Sequence, residues 1–117
     1  MRCGDSYMIK GGWIIVFITA SNYEEAKKIA EGIVKEKLGA CVNIVDKIHS
    51  IYWWQGRVEE GNESLLIIKT RLDKFGKLVE YVKEKHSYEV PEIVAIPLII
   101  GFAKYLDWLD EVVNSSK

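Results

Sequence analysis

A two-residue turn constrains this chain more than any other feature. Gln55–Gly56 follows a β-branched and aromatic run, Cys41–Val45 and Ile48–Trp54, interrupted only by the polar pair Asp46–Lys47. A second such run follows the turn and carries Leu65–Leu66–Ile67–Ile68 as its apolar centre. Two β runs joined by two residues, the second of them glycine, can pair only as an antiparallel hairpin. In unbroken register Trp54 faces Arg57, Ile44 faces Ile67 and Cys41 faces Thr70. Gly61–Asn62 is the expected site of a bulge that would bend this long arm and shift those pairings.

A strand–helix unit stands on each side of the hairpin. Trp13–Thr19 is uniformly apolar, as in a strand covered on both faces. Asn22 and Glu25 then form a capping-box pattern, and Ala26, Ile29, Ala30, Ile33, Val34 and Leu38 recur at helical spacing. Gly39 is the expected left-handed helix stop. After the hairpin, Asp73 is the expected cap of a helix with an inner stripe of Phe75, Leu78, Val79 and Val82. A strand from about Glu92 to Ile100 follows, with Pro97 inside it, so it belongs at a sheet edge. Tyr105, Leu106, Leu109 and Val113 mark a short C-terminal amphipathic helix.

The order strand, helix, strand, strand, helix, strand, helix describes an α+β domain of the ferredoxin-like, split βαβ type. Its sheet is antiparallel, with the first and third strands central and the second and fourth at the edges. The domain is expected over 13–114. Residues 1–12, without periodicity and ending in Gly11–Gly12, are expected to be a loose tail. At 117 residues one core accounts for the chain.

Charge and composition then remove several functions. Sixteen basic against seventeen acidic side chains leave no excess for a nucleic-acid backbone, so no nucleic-acid partner is expected. The longest apolar stretch, Ile93–Ile100, is broken by Pro97 and is far short of the ~20 residues that span a bilayer. The opening Met1–Met8 has no signal-like apolar core, and two cysteines are too few for a disulfide framework. A cytoplasmic protein with no membrane partner is the expectation. Neither His49 nor His86 sits in a nucleophile motif, and no glycine-rich phosphate loop is present, so the chain is not expected to be an enzyme.

Two clusters carry what chemistry remains. Tyr52–Trp53–Trp54 stands at the tip of an arm extending beyond the helices, with Trp53 on the opposite face from its neighbours. Such an apolar surface marks a subunit interface in preference to ligand stacking. His86–Ser87–Tyr88–Glu89–Val90–Pro91–Glu92 combines an imidazole with two carboxylates, and taken alone His86 reads as a helix-end residue facing the last carbonyls. With Cys41 added, His86 and Glu92 make an N/O/S set suited to copper or zinc. Cys41 and Glu92 begin opposite sheet edges, so they could meet only across a subunit boundary.

The segments Leu38–Gly39–Ala40–Cys41–Val42–Asn43–Ile44, Tyr52–Trp53–Trp54–Gln55–Gly56–Arg57–Val58–Glu59–Glu60 and Ile68–Lys69–Thr70 resemble those of the CutA, or divalent-cation tolerance, family. So do His86–Ser87–Tyr88–Glu89–Val90–Pro91–Glu92–Ile93 and Tyr105–Leu106–Asp107–Trp108–Leu109, all five in order and at the family's spacing. The resemblance implies a tight homotrimer, a role in tolerance of divalent metals, and metal ligands at His86, Cys41 and Glu92. No cofactor is obligatory on this reading, and copper(II) or zinc is the possible metal. Ser87 stands where the family usually has proline, Gly39 where alanine is common, and Ile18 where some members carry a further cysteine. The alternatives are a sensory trimer resembling the PII signal proteins, taking a small metabolite or protein partner, and a scaffold without a ligand.

Overall fold

The computed structural model describes residues 2–3, 7–8 and 12–114. Strands β1 (Arg2–Cys3) and β2 (Tyr7–Met8) precede β3 (Trp13–Ala20) and helix α1 (Tyr23–Lys35). The long hairpin β4 (Cys41–Trp54) and β5 (Arg57–Arg71) follows, then α2 (Phe75–Lys85), β6 (Ile93–Pro97), β7 (Gly101–Phe102) and α3 (Ala103–Asn114). The main sheet is antiparallel with the order β4-β5-β3-β6, so the two central strands are the expected ones. A second small sheet runs β1-β2-β7. The loose tail expected over 1–12 falls largely outside the described residues.

Helices α1 and α2 cover one face of the main sheet. Ile14, Val16, Ile18 and Ala20 of β3 and Leu66 and Ile68 of β5 point to it and pack on Ala26, Ile29, Ile33, Leu78 and Val82. Among the described residues the opposite face is covered only at its ends. At one end Trp13, 1 % exposed, seats Leu106, Leu109 and Val113 of α3. Between the ends lie Ile15, Phe17, Leu65 and Ile67, each half-buried, flanked by Val45 and by Val94 and Ile96, which are 49 % and 48 % exposed. Within one chain, therefore, β3 is not covered on both faces as its uniform apolarity suggested.

The hairpin turn forms at Gln55–Gly56, where φ is 49° and 76°, the left-handed pair that a two-residue hairpin needs. From Trp54↔Arg57 back to Ile48↔Glu63 the register is the expected one. The bulge, however, lies between Val45 and Ile48 and not at Gly61–Asn62. Asp46 and Lys47 occupy it, and the buried Ser64 hydroxyl donates to the Asp46 carbonyl, which holds the irregularity in place. Beyond it Ile44 faces Leu66 and Cys41 faces Lys69, each one residue from the unbroken register.

Two helix boundaries and one strand end also differ from expectation. Lys37, not Gly39, takes the left-handed conformation after α1, with φ at 58°. Gly39 is needed for closeness: a Cβ there would stand 2.6 Å from Ile68 and 3.0 Å from Ile33, both fully buried. Asp73 does not cap α2; it lies in a 3-10 turn, Leu72–Lys74, that leads into the helix without a side-chain cap. Finally, β6 stops at Pro97, so the proline ends the strand and does not interrupt it.

Candidate functional site

The end of the sheet at Thr19 and Ala20 is tied to the segment after α2 by two clasps. In the first, the Asn22 side chain accepts from the Glu25 N–H at 2.8 Å, the expected cap. The Glu25 carboxylate reaches one residue further back than a capping box requires. Its Oε1 accepts from the N–H and the hydroxyl of Ser21, both at 2.9 Å, and its Oε2 accepts from the Ser87 N–H at 2.7 Å. Burial pushes this carboxyl upward, but the hydrogen bonds from Ser21 and Ser87 outweigh it and hold the group at about 2, against an ordinary 4.5. With the folded-state value the lower one, the stabilisation is full above about pH 4.5 and is lost as the pH falls through about 2. Glu25→Gln should therefore lower the melting temperature at neutral pH and flatten its fall on acidification. Parallel acid limbs for the two proteins would show that Glu25 does not link folding to protons.

His86 forms the second clasp. Its Nε2 lies 2.7 Å from the Thr19 carbonyl and its Nδ1 accepts from the Tyr88 N–H at 3.0 Å. The pairing requires the proton on Nε2 and the lone pair on Nδ1. The Tyr88 ring lies 4.7 Å from the imidazole, and its hydroxyl donates to Glu63 Oε2 at 2.7 Å. Burial, followed by the Glu63 hydrogen bond and charge, pushes the Tyr88 phenol well above its usual range. One continuous set of hydrogen bonds thus fixes where the 86–92 segment meets the hairpin arm.

Between that segment and the arm lies a cleft of about 600 Å³. Ser50, Tyr52 and Trp54 form its arm wall, and Tyr88, Glu89 and Glu92 form the other, with Thr19 and Glu63 beneath. Trp53, 73 % exposed, points the opposite way, as alternation along β4 requires. Of the three aromatic residues expected at a subunit interface, two line this cleft.

The three expected metal ligands are not gathered in one chain. His86 and Glu92 stand at the Thr19 end of the sheet. Cys41 pairs with Lys69 beside Ile15, four residues, or ~13 Å of strand, toward the other end. Its thiol lies 3.4 Å from the Tyr105 hydroxyl, and burial followed by the Cys41 contact pushes that phenol up to about 12. Both ring nitrogens of His86 are already engaged. Among the described residues no three His, Cys, Asp or Glu side chains converge as a metal ion needs. The residues of one chain do not fit a bound copper or zinc ion. Sequence reading named His86 and Glu92 but missed the cleft, whose walls come from distant segments. The aromatic arm and the acidic 89–92 segment were its only signals.

No helix among the described residues is long and apolar enough to cross a membrane. Residues 14–112 match the family described as CutA1 divalent ion tolerance protein. The chain is 53 % identical over 97 residues to the divalent-cation tolerance protein CutA of Thermus thermophilus, covering 83 % of this chain and 94 % of that one. It is 48 % identical over 103 residues to the chloroplastic CutA 1 of Oryza sativa, covering 88 % of this chain. It spans 58 % of the length of that rice protein and 53 % of its chloroplastic counterpart in Arabidopsis thaliana. The solved structure of a periplasmic divalent cation tolerance protein CutA from Archaeoglobus fulgidus superposes with a TM-score of 0.85 at 44 % identity. The superposition covers 87 % of this chain and 99 % of that one.

Proposed function

The chain belongs to the CutA1 divalent ion tolerance family, and from that premise we propose that it works as a non-enzymatic homotrimer in divalent-cation tolerance. The observation that carries the trimer is the half-bare sheet face, where Ile15, Phe17, Leu65, Ile67, Val94 and Ile96 form one apolar surface. Soluble monomers seldom leave such a surface in water. Among the described residues the outer edges of β4 and β6 have no strand partner, and pairing one subunit's β4 with its neighbour's β6 would close a ring. Trp53 then leads the arm's contact with the neighbour, with Tyr52 and Trp54 beside it. Sedimentation at micromolar concentration should give three times the 13.4 kDa chain mass. A 13.4 kDa species would overturn the assembly.

A non-enzymatic role is supported by His86, whose two nitrogens hold backbone groups and leave none to act as a base. A cytoplasmic location is part of the same proposal, supported by Cys41 as a free thiol. Copper(II), or zinc more weakly, is proposed to bind between subunits, where the edge positions of Cys41 and Glu92 can approach and those of one chain cannot. His86 can join them only by releasing Thr19 or Tyr88. Calorimetric titration of the trimer with copper(II) should show binding weakened in Cys41→Ser or Glu92→Gln. His86→Ala should chiefly lower stability, by about 1–3 kcal/mol, because it strands the buried Thr19 carbonyl. Isotherms unchanged in all three variants would remove these residues from the metal site.

A further inference from the structure

Helices α1 and α2 lie side by side on the outer face of the main sheet, and a cavity of about 440 Å³ opens between the first turns of one and the last turns of the other. It is lined by Glu24, Glu25, Lys28 and Ile29 of α1 and by Tyr81 and Lys85 of α2. Its volume lies within the usual range for small-molecule sites. Gly32 shapes its wall. A Cβ at that position would stand 1.6 Å from the Tyr81 hydroxyl oxygen, so a larger residue would push the Tyr81 ring away from α1. Glycine inside a helix weakens it relative to alanine, and Gly32 has no left-handed φ to require it; seating Tyr81 is what it serves. The cavity shares no lining residue with the arm cleft, and it lies opposite the half-bare face that the proposed trimer covers, so assembly leaves it open.

We propose that this cavity binds a small zwitterion, a free α-amino acid with an apolar side chain. Its lining carries both signs of charge in equal number, the carboxylates of Glu24 and Glu25 and the ammonium groups of Lys28 and Lys85. Among the described residues Glu24, Lys28 and Lys85 belong to no ion pair. The Glu25 carboxylate is fixed by hydrogen bonds from Ser21 and Ser87, and the Lys85 ammonium stands 5.7 Å from the centre of the Tyr81 ring. A simple anion placed here meets two carboxylates, and a simple amine meets two lysines. A molecule carrying both charges satisfies both pairs, its ammonium donating to the glutamates and its carboxylate accepting from the lysines. Ile29, 1 % exposed at the base, and the face of the Tyr81 ring supply the apolar contact for its side chain.

The test compares free L-leucine with three analogues on the assembled protein at low salt. Two of them, 4-methylpentanoate and 3-methylbutylamine, each lack one charge, and glycine keeps both charges but lacks the side chain. Calorimetry should show saturable leucine binding, with each analogue weaker by about tenfold or more, since each loses either a set of charge-assisted hydrogen bonds or the apolar contact. The double variant Lys28→Gln/Lys85→Gln should weaken leucine by about tenfold and leave the mass unchanged, both side chains being exposed. Lys27→Gln removes the neighbouring charge, which pairs with Glu31 outside the cavity, and should bind like the parent. Gly32→Ala should also weaken leucine, because its Cβ displaces Tyr81, while circular dichroism shows the helices intact. Absence of saturable leucine binding, or an analogue that binds as tightly as leucine, would overturn the proposal. So would leucine binding that is unaltered in the double variant or in Gly32→Ala.

Discussion

Trp13→Ala should be among the most damaging single substitutions in the fold, lowering stability by about 3–5 kcal/mol. Trp13 is the residue on which the second core is built, since α3 reaches the sheet by packing Ala103, Leu106, Leu109 and Val113 around it. Its indole Nε1 donates to Asp110 Oδ1 at 3.0 Å, and the Arg71 guanidinium lies 5.3 Å from its ring centre and 3.5 Å from the same carboxylate. Truncation removes the ring, the hydrogen bond and the stacking surface at once. Trp13→Phe keeps most of the apolar contact and should cost about 1–2 kcal/mol, chiefly from the lost hydrogen bond and imperfect filling. Denaturant unfolding at fixed protein concentration measures both. Equal losses for Ala and Phe would show that the hydrogen bond, not the packing, secures α3.

Phe17→Glu should convert the assembly to monomers. Phe17 lies at the middle of the half-bare face, opposite Ile67 on one side and Val94 on the other. In a single chain its side chain is only half-buried, so a carboxylate there keeps access to water and the chain should still fold. In a trimer that covers this face the same carboxylate loses its water without gaining a partner, at a cost of about 3 kcal/mol or more per chain. Sedimentation should report the 13.4 kDa chain while the circular dichroism of the fold persists. A variant that remains trimeric would place the subunit contact elsewhere, on the strand edges or the arm alone.

The sequence made the order of elements legible because each carries its own local signal. The two-residue turn, the Asn22 cap, the helical stripes and the apolar strand cores are all short-range, and the structure has each of them. Two of the misplacements share one cause. Glycine was read as a conformational signal, yet Gly39 serves close packing on Ile33 and Ile68, and Gly61 lies within regular pairing. The real bulge depends on Ser64, 18 residues from the carbonyl it holds, and no local pattern announces that partner. His86 illustrates the same limit at the site. Its neighbours in sequence are carboxylates, which suggested a ligand, but its decisive partner is the carbonyl of Thr19, 67 residues away.

The bulge at Asp46–Lys47 also sets a parity along β4. On the body side of it Val42 and Ile44, both even-numbered, pack against the helix-covered core. On the arm side the even-numbered Tyr52 and Trp54 belong instead to the cleft, on the other side of the ribbon. Side chains in a strand alternate with a period of two, so only an odd insertion allows even positions to serve both surfaces. A chain one residue shorter there would have to choose. With its core kept, the arm would rotate Trp53 into the cleft and turn Tyr52 and Trp54 away. With its cleft kept, the body would turn Cys41, Asn43 and Val45 toward the helices. One extra residue, placed between the two surfaces, thus lets a single strand present its apolar core and its aromatic wall in the same reading frame.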